Sequence, residues 1–357
     1  MLKKIVFSLA IVFLIVGMVS VAFIYWAMTF FPNDSELEKL RSTKAEGLAY
    51  LQASLPATRG KILAVVTSVR TIGTSGKVTG YELSELARAY WVFTANGFAV
   101  DIASPQGGEP YALLDEDDMA EFDYAFLNDA NAQQKIKHTF RLDQIQPDDY
   151  VAVYFVGGKG AMFDFPDNPV IHHLVSRFME QGKVIAAVCH GPAALVNIKN
   201  ADGSWLVANK KISAFTNAEE LLLMPEAKTV FPFLLQTRLE ARGAQFMAGA
   251  DYLEQVIQHD NLITGQNPWS VWLLAEKTVK QLGYEPLPRR LTAEENSVAL
   301  LQVFQQQGLS SAEKKIQKSS AAFSGQLLLM HSFVAAMRGD LPDMFKLIIL
   351  ADSTRAI

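Results

Sequence analysis

The sequence predicts an α/β fold, a doubly wound parallel sheet with helices on both faces, and three features predict it. Lys61–Val69, Val151–Val156 and Val184–Val188 are apolar, β-branched runs of strand length, as expected of strands buried on both faces. Between the first of these and the next run, Phe98–Ser104, lies a segment of helical spacing, and this β-loop-α-β order makes the strands parallel. Finally, Lys183–Leu195 passes from a buried run directly into Gly191-Pro192, a helix start, with the chain's only cysteine, Cys189, at the junction.

The 357 residues, half of them apolar, are enough for one large core with additions. A net charge of −5 and the lack of a long basic run argue against nucleic acid as a partner. A single cysteine excludes an intramolecular disulfide framework and a Cys-rich metal site.

At the amino terminus, Lys3 and Lys4 precede an uncharged run of 27 residues, Ile5 to Phe31, closed by Pro32. As a helix rising about 1.5 Å per residue this exceeds a hydrocarbon core of roughly 30 Å, so residues 1–34 read as a single-pass transmembrane anchor. Tyr25 and Trp26 fall where an interfacial aromatic belt belongs. The lysines keep the amino terminus inside the cytoplasmic membrane and put the globular part outside it. A signal peptide cleaved after Ala22 is the alternative, against which the apolar run continues for nine more residues. Residues 35–59 read as an amphipathic linker helix on Leu37, Leu40, Leu48 and Leu51.

The main domain is expected over residues 60–286. Gly80–Asn96 has helical spacing at Leu83, Leu86, Ala87, Tyr90 and Phe93, and Gly97 is a helix stop. Glu82 and Glu85 at its start can project back toward the strand ends, although an ordinary first-turn glutamate is solvated and complements the helix dipole. The acidic stretch Leu113–Ala132 reads as a surface excursion with solvated charges. Gly157-Gly158-Lys159-Gly160 is a glycine-rich turn directly after a strand, Leu262–Thr264 a late strand and Ser270–Leu282 the closing helix. His138, His172, His173, His259 and His331 have no ligand-like spacing and read as surface or packing residues.

Residues 287–357 read as a helical carboxy-terminal extension, with helices over Glu294–Gln306, Ser311–Ser319 and Ser324–Arg338. Its apolar run Leu327–Met337 is too short to span a membrane. The extension is expected to pack on the domain or on a twin subunit, as in a homodimer, or to dock on a membrane or client.

The turn at Cys189 is a nucleophile elbow with cysteine in place of serine: it lifts the sulfur above the sheet and points the first N–H groups of a helix at it, which favours thiolate. The string Ala-Val-Cys-His-Gly-Pro (187–192) recurs with Gly-x-x-x-x-Glu-Leu-Ala-x-x-Tyr (80–90), Gly97–Pro110, Phe215-Thr216 and Asn261–Ser270. On these residues the chain resembles the ThiJ/PfpI family of the class I glutamine amidotransferase-like superfamily, in its glyoxalase III-like branch, over roughly residues 60–283.

The resemblance implies a flavodoxin-like sheet and a Cys189-His190-Glu220 triad, with Glu219 as the fallback acid. It puts the family's supporting acid on Glu85, held protonated against the sulfur so that the cysteine pKa falls. It makes the N–H groups of Gly158 and His190 an oxyanion hole, and sets Lys159 where many relatives have histidine. The chemistry implied needs no cofactor and no metal. The thiolate attacks a small carbonyl or acyl substrate, with conversion of methylglyoxal to lactate or hydrolysis of an acyl thioester or amide as outcomes. The rival from another class is a holdase chaperone or redox-sensing envelope protein without turnover.

Overall fold

The computed structural model describes residues 14, 17, 18, 20–116 and 118–356. The chain divides into two compact units, one of Leu40–Arg290 and one that joins the described residues up to Lys39 with those from Leu291 onward.

In the first unit, seven strands among the described residues form one sheet: β1 Lys61–Val65, β2 Ala99–Ser104, β3 Phe140–Arg141, β4 Ala152–Phe155, β5 Val184–Val188, β6 Val256–His259 and β7 Leu262–Gly265. Their order is β6-β7-β5-β4-β1-β2-β3, parallel throughout except for the β6–β7 hairpin. β4 and β5 are buried along their whole length because both sheet faces are covered. Side chains alternate between faces with the period of two. Ile62, Ala64, Tyr154, Ala186 and Val188 join one core, and Leu63, Val65, Phe155, Ile185 and Ala187 the other. Helices α1 (Leu83–Ala95) and α4 (Val271–Gln281) cover the first face through Leu86, Tyr90, Phe93, Trp272 and Leu274. Helix α3 (Pro169–Glu180) covers the second through Ile171, Leu174, Val175 and Phe178. This is the flavodoxin-like, doubly wound arrangement.

Three local expectations are corrected. The linker over 35–59 is not one helix: Asp34–Arg41 is helical, Lys44 is extended, and short turns follow at Ala45–Gly47 and Ala49–Gln52. The break is stabilised by Asn128, whose Nδ2 donates to the carbonyls of Arg41 and Thr43 at 2.8 Å each. The acidic excursion contains a packed helix, α2 (Glu121–Asn128), which buries Phe122, Tyr124 and Phe126. Its Asp123 is not solvated but fully buried, 3.1 Å from Arg88 Nη2. Finally, the helix expected after the elbow is only a 3₁₀ segment, Gly191–Leu195, buried at every residue.

The second unit holds four helices from residue 291 onward among the described residues: α5 Ala293–Gln307, α6 Leu309–Gln317, α7 Gly325–Met337 and α8 Leu341–Ser353. Leu300, Leu301, Ile316, Leu328, Leu329, Leu350 and Ala351 are buried in it. The last helix was not expected; it restarts after Gly339, whose φ of 77° turns the chain, with Asp340 accepting the Asp343 N–H as its cap. Of the expected anchor, residues 20–28 are helical, and residues 1–13, 15, 16 and 19 lie outside the described residues. Among the described residues no helix is long and apolar enough to cross a membrane.

Candidate active site

The site is built where neighbouring parallel strands end together. Phe155 of β4 pairs with Ala187 of β5, so the Gly157–Gly160 turn and Cys189 emerge side by side at the carboxyl edge of the sheet, where α/β folds place their ligands. Cys189 has φ 56°, a left-handed conformation that costs a non-glycine residue about 1 kcal/mol or more. Two backbone bonds hold it there: its N–H donates to Gly265 O and its carbonyl accepts from the Phe215 N–H, both at 2.9 Å. The glycines around it answer to close approach. A Cβ on Gly191 would stand 2.2 Å from Phe155 O, and one on Gly157 would stand 2.5 Å from Glu85 Oε2 and 2.8 Å from Cys189 Cβ.

His190 Nδ1 lies 3.3 Å from Cys189 Sγ, and its Nε2 lies 2.5 Å from Glu220 Oε2. All three residues are buried. The imidazole is bracketed by Phe215, with ring centroids 4.8 Å apart, and Phe231, at 6.2 Å. A carboxylate on Nε2 assigns the ring proton to that nitrogen and leaves the Nδ1 lone pair toward the sulfur, the tautomer that can accept a thiol proton.

The adjacent glutamates separate cleanly. Glu219 Oε2 accepts from Thr216 N and Oγ1 (3.0 and 2.9 Å), and its Oε1 accepts from Tyr252 N, Gln266 Nε2 and Asn267 Nδ2 (2.7, 3.1 and 2.9 Å). It closes the capping box of the helix Asn217–Leu223 and clamps three segments together. Glu220, one residue on, faces the histidine.

Glu85, on the first turn of α1, accepts the Gly157 N–H through Oε2 at 2.8 Å, while its backbone carbonyl accepts from the Tyr154 hydroxyl at 2.8 Å. Its Oε1 is buried without a hydrogen-bond partner of ordinary geometry, and the Cys189 thiol stands against the same carboxyl group. Burial pushes the Glu85 carboxyl up to about 7, against the opposing pull of Cys189 and the Gly157 N–H. Burial also pushes the Cys189 thiol well up. The Glu85 carboxylate adds to that rise, and the Lys159 ammonium opposes it. This runs against the expected low thiol pKa: desolvation and Glu85 outweigh one short 3₁₀ turn and the Lys159 ammonium. The His190 Nδ1 lone pair stands 3.3 Å from this sulfur, in place to take its proton. Glu82, at the start of the same helix, is raised well above the usual carboxylate range, first by burial and then by Glu85, Asp118 and Asp115.

The structure thus brings Cys189, His190, Glu220 and Glu85 together and sets the Gly158 turn against them. Sequence reasoning missed the aromatic bracket of Phe215 and Phe231 and the buried Arg88, one turn beyond Glu85, whose charge favours the Glu85 carboxylate. An arginine inside an otherwise apolar helical segment was the available signal for the latter.

The family model of the DJ-1/PfpI family matches residues 77–281. A glutathione-independent glyoxalase of Schizosaccharomyces pombe is 31% identical over 217 residues, 58% of this chain and 90% of that protein. Glyoxalase 3 of Candida albicans is 27% identical over 234 residues, 61% of this chain and 97% of that protein. Among solved structures, the 24 kDa rapid encystment protein of Francisella tularensis aligns with a TM-score of 0.59 at 32% identity, covering 63% of this chain and 100% of that one. Glyoxalase III from C. albicans aligns with a TM-score of 0.57 at 25% identity, covering 62% of this chain and 97% of that one.

Proposed function

The chain belongs to the DJ-1/PfpI family, and on that premise we propose that it is a glutathione-independent glyoxalase, converting a small 2-oxoaldehyde such as methylglyoxal to the 2-hydroxy acid through Cys189, His190, Glu220 and Glu85. The observation that carries the reading is the buried chain from sulfur to imidazole to carboxylate, at 3.3 and 2.5 Å, in a domain similar over nearly its whole length to glyoxalases.

His190 Nδ1 takes the Cys189 thiol proton as the sulfur adds to the aldehyde carbon, and Glu220 stabilises the imidazolium that forms. The Gly158 and His190 N–H groups stabilise the oxyanion, which is protonated to a hemithioacetal. The proton on the former aldehyde carbon then moves, through His190, to the neighbouring carbonyl carbon. The first carbon is oxidised and the second reduced, with no outside electron acceptor, leaving a 2-hydroxyacyl thioester on Cys189. Water releases the acid and restores the thiol. Protonated Glu85 keeps negative charge off the sulfur's neighbour while thiolate forms.

Methylglyoxal in deuterated buffer without glutathione tests this: lactate carrying solvent deuterium at its second carbon is expected, and no lactate above the buffer control overturns the reading.

We also propose that residues 1–34 anchor the chain in the cytoplasmic membrane with the catalytic unit outside. The uncharged run from Ile5 to Phe31 supports this. Retention of the full chain in the membrane pellet after alkaline carbonate washing is the expected outcome; release into the supernatant contradicts it.

A further inference from the structure

The two carboxy-terminal helices carry more apolar surface than their own packing uses. Helix α8 buries Leu347, Leu350 and Ala351, yet Leu341, Phe345 and Ile349, spaced four residues apart on another side, are 54, 59 and 50% exposed. Helix α7 buries Leu327, Leu328, Leu329, His331, Ser332 and Ala335, yet leaves Phe333 and Met337 57 and 56% exposed. A surface helix of a water-soluble bundle carries polar residues on the side turned from its core, and large exposed apolar patches mark an interaction surface.

What covers these exposed side chains is indicated by the segment to which the helix pair is tied. Trp26 Nε1 donates to Asp352 Oδ1 at 3.1 Å, and Arg355 donates to the Trp26 carbonyl and the Thr29 hydroxyl. The Arg355 guanidinium lies 3.8 Å from the Phe30 ring centroid and 5.4 Å from that of Trp26. Gly325, at the start of α7, admits the same Phe30: a Cβ there would stand 2.4 Å from its Cδ1. The start of α7 and the end of α8 are therefore both fastened to residues 26–30, the closing turns of the uncharged run, where its aromatic residues cluster and Val21, Ile24, Tyr25 and Met28 are exposed. Leu341 lies about 16 Å along α8 from that fastening.

We propose that α7 and α8 form a foot seated on the lipid surface beside the anchor, with Phe333, Met337, Leu341, Phe345 and Ile349 dipping into the headgroup–acyl boundary. The proposal rests on the anchoring reading above. An interfacial helix pair buries one apolar side in lipid and keeps its charges at the headgroups, and the Asp343–Lys346 pair, 2.7 Å apart and part-exposed on α8, suits that boundary. A bound unit of this kind holds the chain close to the bilayer instead of leaving it on a free tether.

The test uses the full chain in a Cys189→Ser background, reconstituted in phosphatidylcholine–phosphatidylglycerol vesicles, with a nitroxide on Phe345→Cys or, as the reference, on Gln317→Cys in α6. The expected result is that the label at 345 collides severalfold more with oxygen and severalfold less with an aqueous nickel complex than the label at 317. Equal nickel accessibility at both positions, with the chain still floating with the vesicles, overturns the foot and leaves the anchor standing. A chain that does not float overturns both. Spin–spin broadening at 345 that is already present in detergent and unchanged by lipid assigns the face to a second copy, and overturns the proposal as well. Ile349→Cys provides a second labelled position if Phe345→Cys does not fold.

Discussion

Two neighbouring glutamates, both buried, have separate duties, and substitution should separate them. Glu220→Ala removes only the partner of His190, so turnover should fall about 100-fold with little change in unfolding temperature. Glu219→Ala strands the donors of Thr216, Tyr252, Gln266 and Asn267, and should cost about 3 kcal/mol or more by urea unfolding. The reverse pattern would reassign the triad acid. Glu85 adds a pH signature. Its carboxyl ordinarily titrates near 4.5 and is raised to about 7 in the folded chain, so the folded state holds a proton that the unfolded state has released between those values. Its contribution is fully present below about 4.5 and is lost as pH rises through about 7. Glu85→Gln, which does not titrate, should therefore gain stability over the wild type between pH 5 and pH 8, by roughly 3 kcal/mol at most; parallel unfolding profiles would show that Glu85 is not held protonated by burial. Cys189 and His190 were legible from the elbow's own residues, and Glu220 and Glu85 through the family resemblance alone. The sulfur's protonation was not, since desolvation depends on which distant segments, here Phe215, Gly157 and α1, close over it.

At the level of elements, the elbow is the part under backbone tension. Cys189→Ala keeps a side chain at φ 56°, whereas Cys189→Gly relieves it, so the glycine variant should be more stable than the alanine variant by about 1 kcal/mol in thermal or urea unfolding. An alanine variant as stable as the glycine one would mean that the turn relaxes and stores no strain. The long apolar strands β1, β4 and β5 could be read directly, because burial on both faces leaves a continuous apolar run. Phe140–Arg141 could not: it is a two-residue edge strand, exposed at both positions. Helix α2 was masked by its acids, since Asp123 looks like a solvated charge until Arg88, 35 positions away in the chain, is folded against it. The linker failed for a similar reason, its carbonyls being taken by Asn128 from beyond the local sequence.

For the whole molecule, every residue of the sulfur–imidazole–carboxylate chain lies in the unit Leu40–Arg290, and the family model ends at residue 281. A fragment of residues 40–290 is therefore expected to fold and to keep the kcat of the proposed glyoxalase reaction within a factor of about three, a modest change on a free-energy scale where tenfold is 1.4 kcal/mol. An inactive but folded fragment would give the second unit a part in the chemistry. That second unit was legible as helical from its Ala, Leu and Gln content, but its fourth helix and the fastening of Trp26 and Phe30 to Arg355 join segments more than 300 residues apart, which no local pattern announces. The most direct measurement is glutathione-free lactate formation from methylglyoxal by the purified wild type and by Cys189→Ala. Steady turnover by the wild type and a loss of at least about 1000-fold in the variant are expected. Lactate formation by Cys189→Ala at a comparable rate, or none by the folded wild type, would contradict the proposed mechanism.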